Sequence, residues 1–155
     1  MKMVKIFGKG FSLVELMVVI GIISLLALIA LPSYRNFILR AEFIETKMAV
    51  GAVKVSFEVC AQMLGIAQVK NCQHNSHGIP AIKNPAKGVV GVKLVSDIFG
   101  AEAPKNASDG DKVMIVATAP SDSKNAKQTY TLTAILKNDG TVDWDKGQCS
   151  KPELC

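Results

Sequence analysis

Nineteen consecutive positions, Leu16 to Tyr34 (LMVVIGIISLLALIALPSY), carry no charge, and no other stretch limits the possible folds of this chain as strongly. As a helix rising about 1.5 Å per residue the run is about 28 Å long, enough to cross the hydrocarbon core of a bilayer. Lys2, Lys5 and Lys9 come before it and the bulk of the sequence comes after it. The positive-inside tendency therefore places residues 1–10 in the cytoplasm and the remainder outside, as a single-pass anchor. An ordinary cleaved secretory signal would need small residues one and three positions before a cut near the end of the run. A cut after Ala30 puts Leu28 at the third position, and neighbouring cuts fit no better. Glu15 is harder still to reconcile with a disposable signal, because a charge at the centre of a membrane helix costs about 2.5 to 3.5 kcal/mol. A carboxylate kept against the apolar run needs a purpose.

Helical periodicity resumes beyond Pro32. Phe37, Ala41, Ile44, Met48, Ala52, Val55, Val59 and Met63 recur at steps of three and four and trace one face, while Arg35, Asn36, Arg40, Glu42, Glu45, Lys47, Lys54 and Glu58 lie largely off it. The spacing predicts one helix from near Phe11 to about Leu64, on the order of 80 Å long. A chain of 155 residues holds one domain's worth of core, so the first half of such a helix is expected to project from the globular part. Pro32 removes an internal hydrogen bond and is expected to kink the helix, and Gly51 costs about 1 kcal/mol relative to alanine.

From Gly65 to Pro85 the chain is rich in Gly, Asn, Ser, His and Pro and reads as a surface loop. Strand-like segments follow at Val89 to Val95, Lys112 to Thr118 and Thr129 to Leu136, and Asn138, Asp139 and Gly140 make a turn into Thr141 to Trp144. Segments 101–111 and 119–128 read as polar connections and residues 145–155 as a tail. The formal charge is +5, but removing residues 1–10 would take away three of the 18 basic side chains and none of the 13 acidic ones, leaving +2. Basic residues are spread without a dense cluster and aromatics are few, so nothing marks a nucleic-acid-binding face. Cys60, Cys72, Cys149 and Cys155 all lie beyond the apolar run, where an exported chain meets an oxidising environment, so disulfides are expected. Four cysteines permit three pairings, and spacing alone does not choose among them.

The segment GFSLVELMVVIGIISLLALIALPSY resembles the N-terminal signature of type IV pilins and pseudopilins: a short basic leader ending in glycine, a phenylalanine, a glutamate four residues later, an uninterrupted apolar run and a Pro-Ser-Tyr exit. The remaining sequence resembles the pilin plan more loosely. The resemblance implies an α+β fold, with a long N-terminal α-helix whose C-terminal half packs on a four-stranded antiparallel sheet. It implies residues 1–10 as a cleaved leader, 11–34 as the half of the helix that is first transmembrane and later filament core, and 35–155 as the globular head. It further implies that prepilin peptidase cuts between Gly10 and Phe11 on the cytoplasmic side and that the new amine of Phe11 is methylated. Glycine at that junction lets an extended backbone enter a protease cleft, and the cut removes three positive charges while sparing the anchor. The freed amine is then a partner for Glu15 of a neighbouring subunit, so Glu15 becomes an assembly signal. Many pilins have a glycine where this chain has Ser24, with Gly21 nearby.

By the same resemblance, Cys149 and Cys155 correspond to the disulfide-bounded loop at the end of pilins, here enclosing only SKPEL, while Cys60 and Cys72 would join the end of the helix to the following loop. Implied partners are further copies of the chain in a homopolymer, prepilin peptidase, the inner-membrane assembly machinery, an outer-membrane secretin, and a host surface or DNA. The expected course is from the bacterial inner membrane to an extracellular pilus used for adhesion, twitching motility or DNA uptake. No cofactor, no metal and no catalytic residue is expected. Cys60, Cys72, His74 and His77 fall within a short span, but they lack the close paired spacing of structural zinc sites, and His74 and His77 read as solvated loop residues. No nucleophile elbow, phosphate loop or metalloprotease helix occurs. Trp144 reads as a packing residue. Two other readings share parts of this pattern: a pseudopilin of a type II secretion system, and a membrane-tethered binding module that never polymerises.

Overall fold

The computed structural model describes residues 10–99 and 106–155. Positions 1–9 of the expected leader lie outside the described residues. The chain divides into two compact units, Met1–Phe37 and Ile38–Cys155, and one helix, α1 (Leu13–Leu64), contributes to both.

In the first unit the helix follows directly from composition. The Leu16 N–H donates to the Ser12 carbonyl at 3.2 Å in the opening turn. Leucine supports the helix, and the β-branched residues that disfavour it in water are tolerated where little else can satisfy the backbone. The Ser24 hydroxyl donates to the Ile20 carbonyl at 2.7 Å, so its polar atom is satisfied within the helix itself. Pro32 lies inside α1, where it has no N–H to offer the Leu28 carbonyl. The large apolar side chains from Leu13 to Leu31 are exposed, and the most apolar window of α1 has a mean hydropathy of 2.8 with none of it buried. By length and composition this helix is able to cross a membrane.

The second unit pairs the rest of α1 with an antiparallel sheet in the order β1 (Gly91–Val95), β2 (Lys112–Thr118), β3 (Thr129–Leu136) and β4 (Val142–Trp144). A further two-residue strand, β5 (Gln148–Cys149), also pairs with β3. The strands alternate as the pleat requires. Val113 stands opposite Ala134 and Ile115 opposite Leu132 in the register, and these four side chains are buried in the core. Met114, Val116, Thr131 and Thr133 occupy the alternate positions on the outer face.

The core-facing stripe of α1 differs from the face traced by the sequence periodicity. Buried residues are Phe43, Thr46, Val50, Val53, Phe57, Cys60 and Ala61, whereas Ile44, Met48, Val55, Val59 and Met63 are exposed. At about 100° per residue the two sets lie on roughly opposite sides of the helix. Both obey the same period, and the sequence reading traced the exposed face and missed the buried one. The sheet takes the face that carries both phenylalanines.

The strand segments form with small changes at their ends: β1 starts at Gly91, and β4 starts at Val142. Gly91 has a steric reason, because a Cβ there would lie 2.6 Å from the Pro85 ring where the preceding loop crosses the sheet edge. That loop, expected to be irregular, contains a 3-10 helix at Ile66–Asn71 and makes an isolated bridge between Lys83 and Val92.

Candidate functional site

Gly10 and Phe11 precede the first turn of α1 and are exposed. Glu15 lies within that first turn, where the unpaired amide groups of a helix N-terminus favour negative charge. It forms no ion pair among the described residues. Gly10, Phe11 and Glu15 thus occupy one short segment, while Ser24 and Pro32 lie farther along the same helix.

In the second unit, the side of α1 turned away from the sheet presents Ile44, Met48, Val55, Val59 and Met63 to solvent, with Ala41, Gly51 and Ala52 exposed among them. Nothing lies within 4 Å of a Cβ built on Gly51, so this side is open. Met48, Ala49 and Ala52 also line one wall of a groove of about 520 Å³, whose other wall is formed by Pro80, Ala81 and Val89. A soluble monomer rarely leaves so continuous an apolar stripe uncovered, which marks it as a surface for association.

All four cysteines are paired. Cys60 is joined to Cys72 and Cys149 to Cys155, with Cα separations of 5.9 and 5.7 Å. The first bond is buried and ties the end of α1 to the loop after it. The second closes the tail, which docks on α1 rather than extending into solvent. Leu154 is buried with Phe43 and Ala119, and the Arg40 guanidinium donates from Nε to the Glu153 carbonyl at 2.7 Å. A third segment meets the same turn of the helix: Asn125, only 5 % exposed, donates from its amide to the Leu39 carbonyl at 2.8 Å. Sequence reading treated residues 119–128 as a polar connection and missed this contact, since nothing distinguishes a buried asparagine from an exposed one. Leu154, the lone large apolar residue in the tail, was the available signal for docking.

His74 corrects another expectation. Its ring is half-buried and spans two elements, contacting the Pro80 carbonyl through Nδ1 at 2.6 Å and accepting from the Leu94 N–H through Nε2 at 2.7 Å. The arrangement requires the proton on Nδ1 and covers an otherwise unpaired amide on the outer edge of β1. His77 is exposed, as expected. With the neighbouring cysteines oxidised, no group of three or more His, Cys, Asp or Glu side chains is placed to hold a metal among the described residues. Trp144 packs edge-on against Phe57, with ring centroids 6.4 Å apart, donates from Nε1 to Glu58 and lies beneath the Lys54 ammonium. It joins β4 to α1.

Residues 8–31 match the prokaryotic N-terminal methylation motif. The type IV pilus subunit protein TapA of Aeromonas hydrophila is 36% identical over 84 residues, an alignment that covers 54% of this chain and 55% of that protein. A type IV major fimbrial protein FimA of Dichelobacter nodosus is 32% identical over 63% of this chain and 69% of its own length. The fimbrial protein EcpC of Eikenella corrodens is 32% identical over 146 residues, covering 92% of this chain and 84% of that protein. The FimA and EcpC alignments each take in more than 60% of this chain and more than two thirds of the relative, and on them the chain belongs to the type IV pilin family.

Proposed function

We propose that this chain is a structural subunit made as a membrane-anchored precursor and then polymerised into a type IV pilus, an extracellular filament serving adhesion, twitching motility or DNA uptake. Its work is assembly rather than catalysis. Residues 1–10 are the leader, removed by prepilin peptidase between Gly10 and Phe11, after which Phe11 is N-methylated. Residues 11–34 first span the inner membrane with the N-terminus inside and later pack in the filament core, and residues 35–155 form the head. The assembly machinery of the inner membrane and an outer-membrane secretin are the partners that extrusion requires, and a host surface or DNA is the contact made by the finished fibre.

The observation that carries this reading is the position of Glu15, at the start of α1, inside the matched motif and four residues after Phe11. Cleavage creates an amine at Phe11. Two unit charges 4 Å apart attract by about 4 kcal/mol at an effective dielectric of 20, comparable with the cost of holding a carboxylate against apolar surroundings. A charge that is unfavourable in the lone anchor is thus matched when the amine of one subunit meets Glu15 of the next. The outer stripe of α1 supports the same reading, because neighbouring subunits can cover it.

Intact mass of the mature protein tests the processing. Loss of residues 1–10 with gain of one methyl group is expected, and a retained leader would overturn the reading. Glu15→Ala tests assembly. The variant should enter the membrane at least as well as the unaltered chain, yet sheared filaments should fall at least tenfold, as removal of an attraction of about 4 kcal/mol requires. A normal filament yield would refute the pairing.

A further inference from the structure

We propose that Met48 and Met63 are oxidation-sensitive sites whose sulfoxides bar a subunit from the filament, an inference that rests on the assembly reading above. The two thioethers are the most exposed methionines of the head, at 73% and 76%. They stand fifteen positions apart on the outer stripe of α1, about 22 Å along the helix. Neither contributes to the core. The buried residues Phe43, Val50, Val53 and Phe57 occupy the opposite side of the helix, so a chemical change at Met48 or Met63 leaves the fold in place.

Methionine sulfur is readily oxidised, and exposure decides which methionine reacts. With hypochlorous acid as oxidant, the thioether sulfur gives up two electrons and gains one oxygen as S=O, while chlorine is reduced to chloride and a proton is released. The product is polar and chiral where the thioether was apolar and adaptable. On a stripe that also carries Ile44, Val55 and Val59, two sulfoxides place strong acceptors that lose their water without replacement when an apolar surface covers them. A membrane-anchored subunit displays both methionines, whereas a subunit already in the fibre has them covered. Oxidation therefore acts before incorporation and leaves the existing filament intact.

Met114 provides an internal reference. It lies on the outer face of the sheet, 36% exposed, away from the helix stripe. The experiment shears filaments from cells, treats the cells briefly with hypochlorite, allows regrowth, and measures sulfoxide at each methionine by peptide mass in the regrown filaments and in the membrane pool. Sulfoxide at Met48 and Met63 should be depleted from filaments by about fivefold or more relative to the membrane pool, with Met114 sulfoxide shared evenly. A Met48→Leu/Met63→Leu chain, which keeps the stripe apolar, should lose a smaller fraction of its own untreated filament yield to the oxidant than the unaltered chain loses. Equal sulfoxide in both pools, or equal loss in the leucine chain, would overturn the inference. Absence of sheared filaments before any oxidant is added would instead overturn the assembly reading, and this inference with it.

Discussion

Replacing Thr46 with valine should stabilise the head. It lies between Phe43 and Val50 on the buried stripe of α1, is 0% exposed, and its Oγ1 has no hydrogen-bond partner among the described residues. A buried hydroxyl left without a partner costs about 1 to 3 kcal/mol, because it loses water and gains nothing. Thr46→Val replaces that hydroxyl with a methyl of similar size, keeps the β-branch and changes helix propensity little. The net gain should be about 1 to 2 kcal/mol. Trp144, the single tryptophan, packs on Phe57 in the same core and reports the transition by its fluorescence. With a urea slope of about 1 to 3 kcal/mol per molar, the midpoint should rise by about 0.3 to 2 M at unchanged slope. Thr46→Ser keeps the hydroxyl and removes the methyl, so it should destabilise the head by about 1 kcal/mol and lower the midpoint. Because Thr46 faces away from the outer stripe, filament yield should be unaffected by either change. A valine variant no more stable than the unaltered head would show that Oγ1 is satisfied in solution and refute the reasoning.

Replacing Cys149 and Cys155 with serine reopens a loop of six-residue separation and should cost about 2 kcal/mol by the chain-entropy model, with faster amide exchange around Leu39 to Phe43 as Leu154 leaves its site. Gly147→Ala places a Cβ 1.8 Å from the Tyr130 hydroxyl, so the ring or the strand must move; a loss of about 1 to 3 kcal/mol is expected in thermal unfolding, and Tyr130→Phe should relieve part of it. The β3–β4 turn should be sensitive to acid. Hydrogen bonds from the Thr141 hydroxyl and amide hold the Asp139 carboxyl below its usual range, so this stabilisation is present at neutral pH and is lost as pH falls through the lowered value. The bond to Asp143 raises the Lys137 ammonium instead, a contribution intact at neutral pH and lost only as pH rises through that raised value. Amide exchange at Thr141 between neutral and acidic pH should reveal the first effect, and Asp139→Asn should abolish its pH dependence.

The long apolar helix and the place of Glu15 in its first turn were legible in the sequence because their physics is local. An uncharged run long enough for a bilayer, lysines on one side of it and a carboxylate at its edge depend on no tertiary contact. The same holds for β2 and β3, where alternation and β-branching agree with the final pleat, and for the turn at Asn138 to Gly140. Three matters were decided only by the tertiary structure. The sequence reading traced only the Ile44 to Met63 face of α1, and packing put the Phe43 to Ala61 face of the same period against the sheet. The pairing of four cysteines depends on where the end of α1, its loop and the tail come together in space. The docking of Asn125, Arg40 and Leu154 joins segments more than eighty residues apart, and His74 caps the edge of a strand twenty residues away. Local patterns specify elements through the backbone's own periodicity; long-range contacts arise only once folding has made distant residues neighbours.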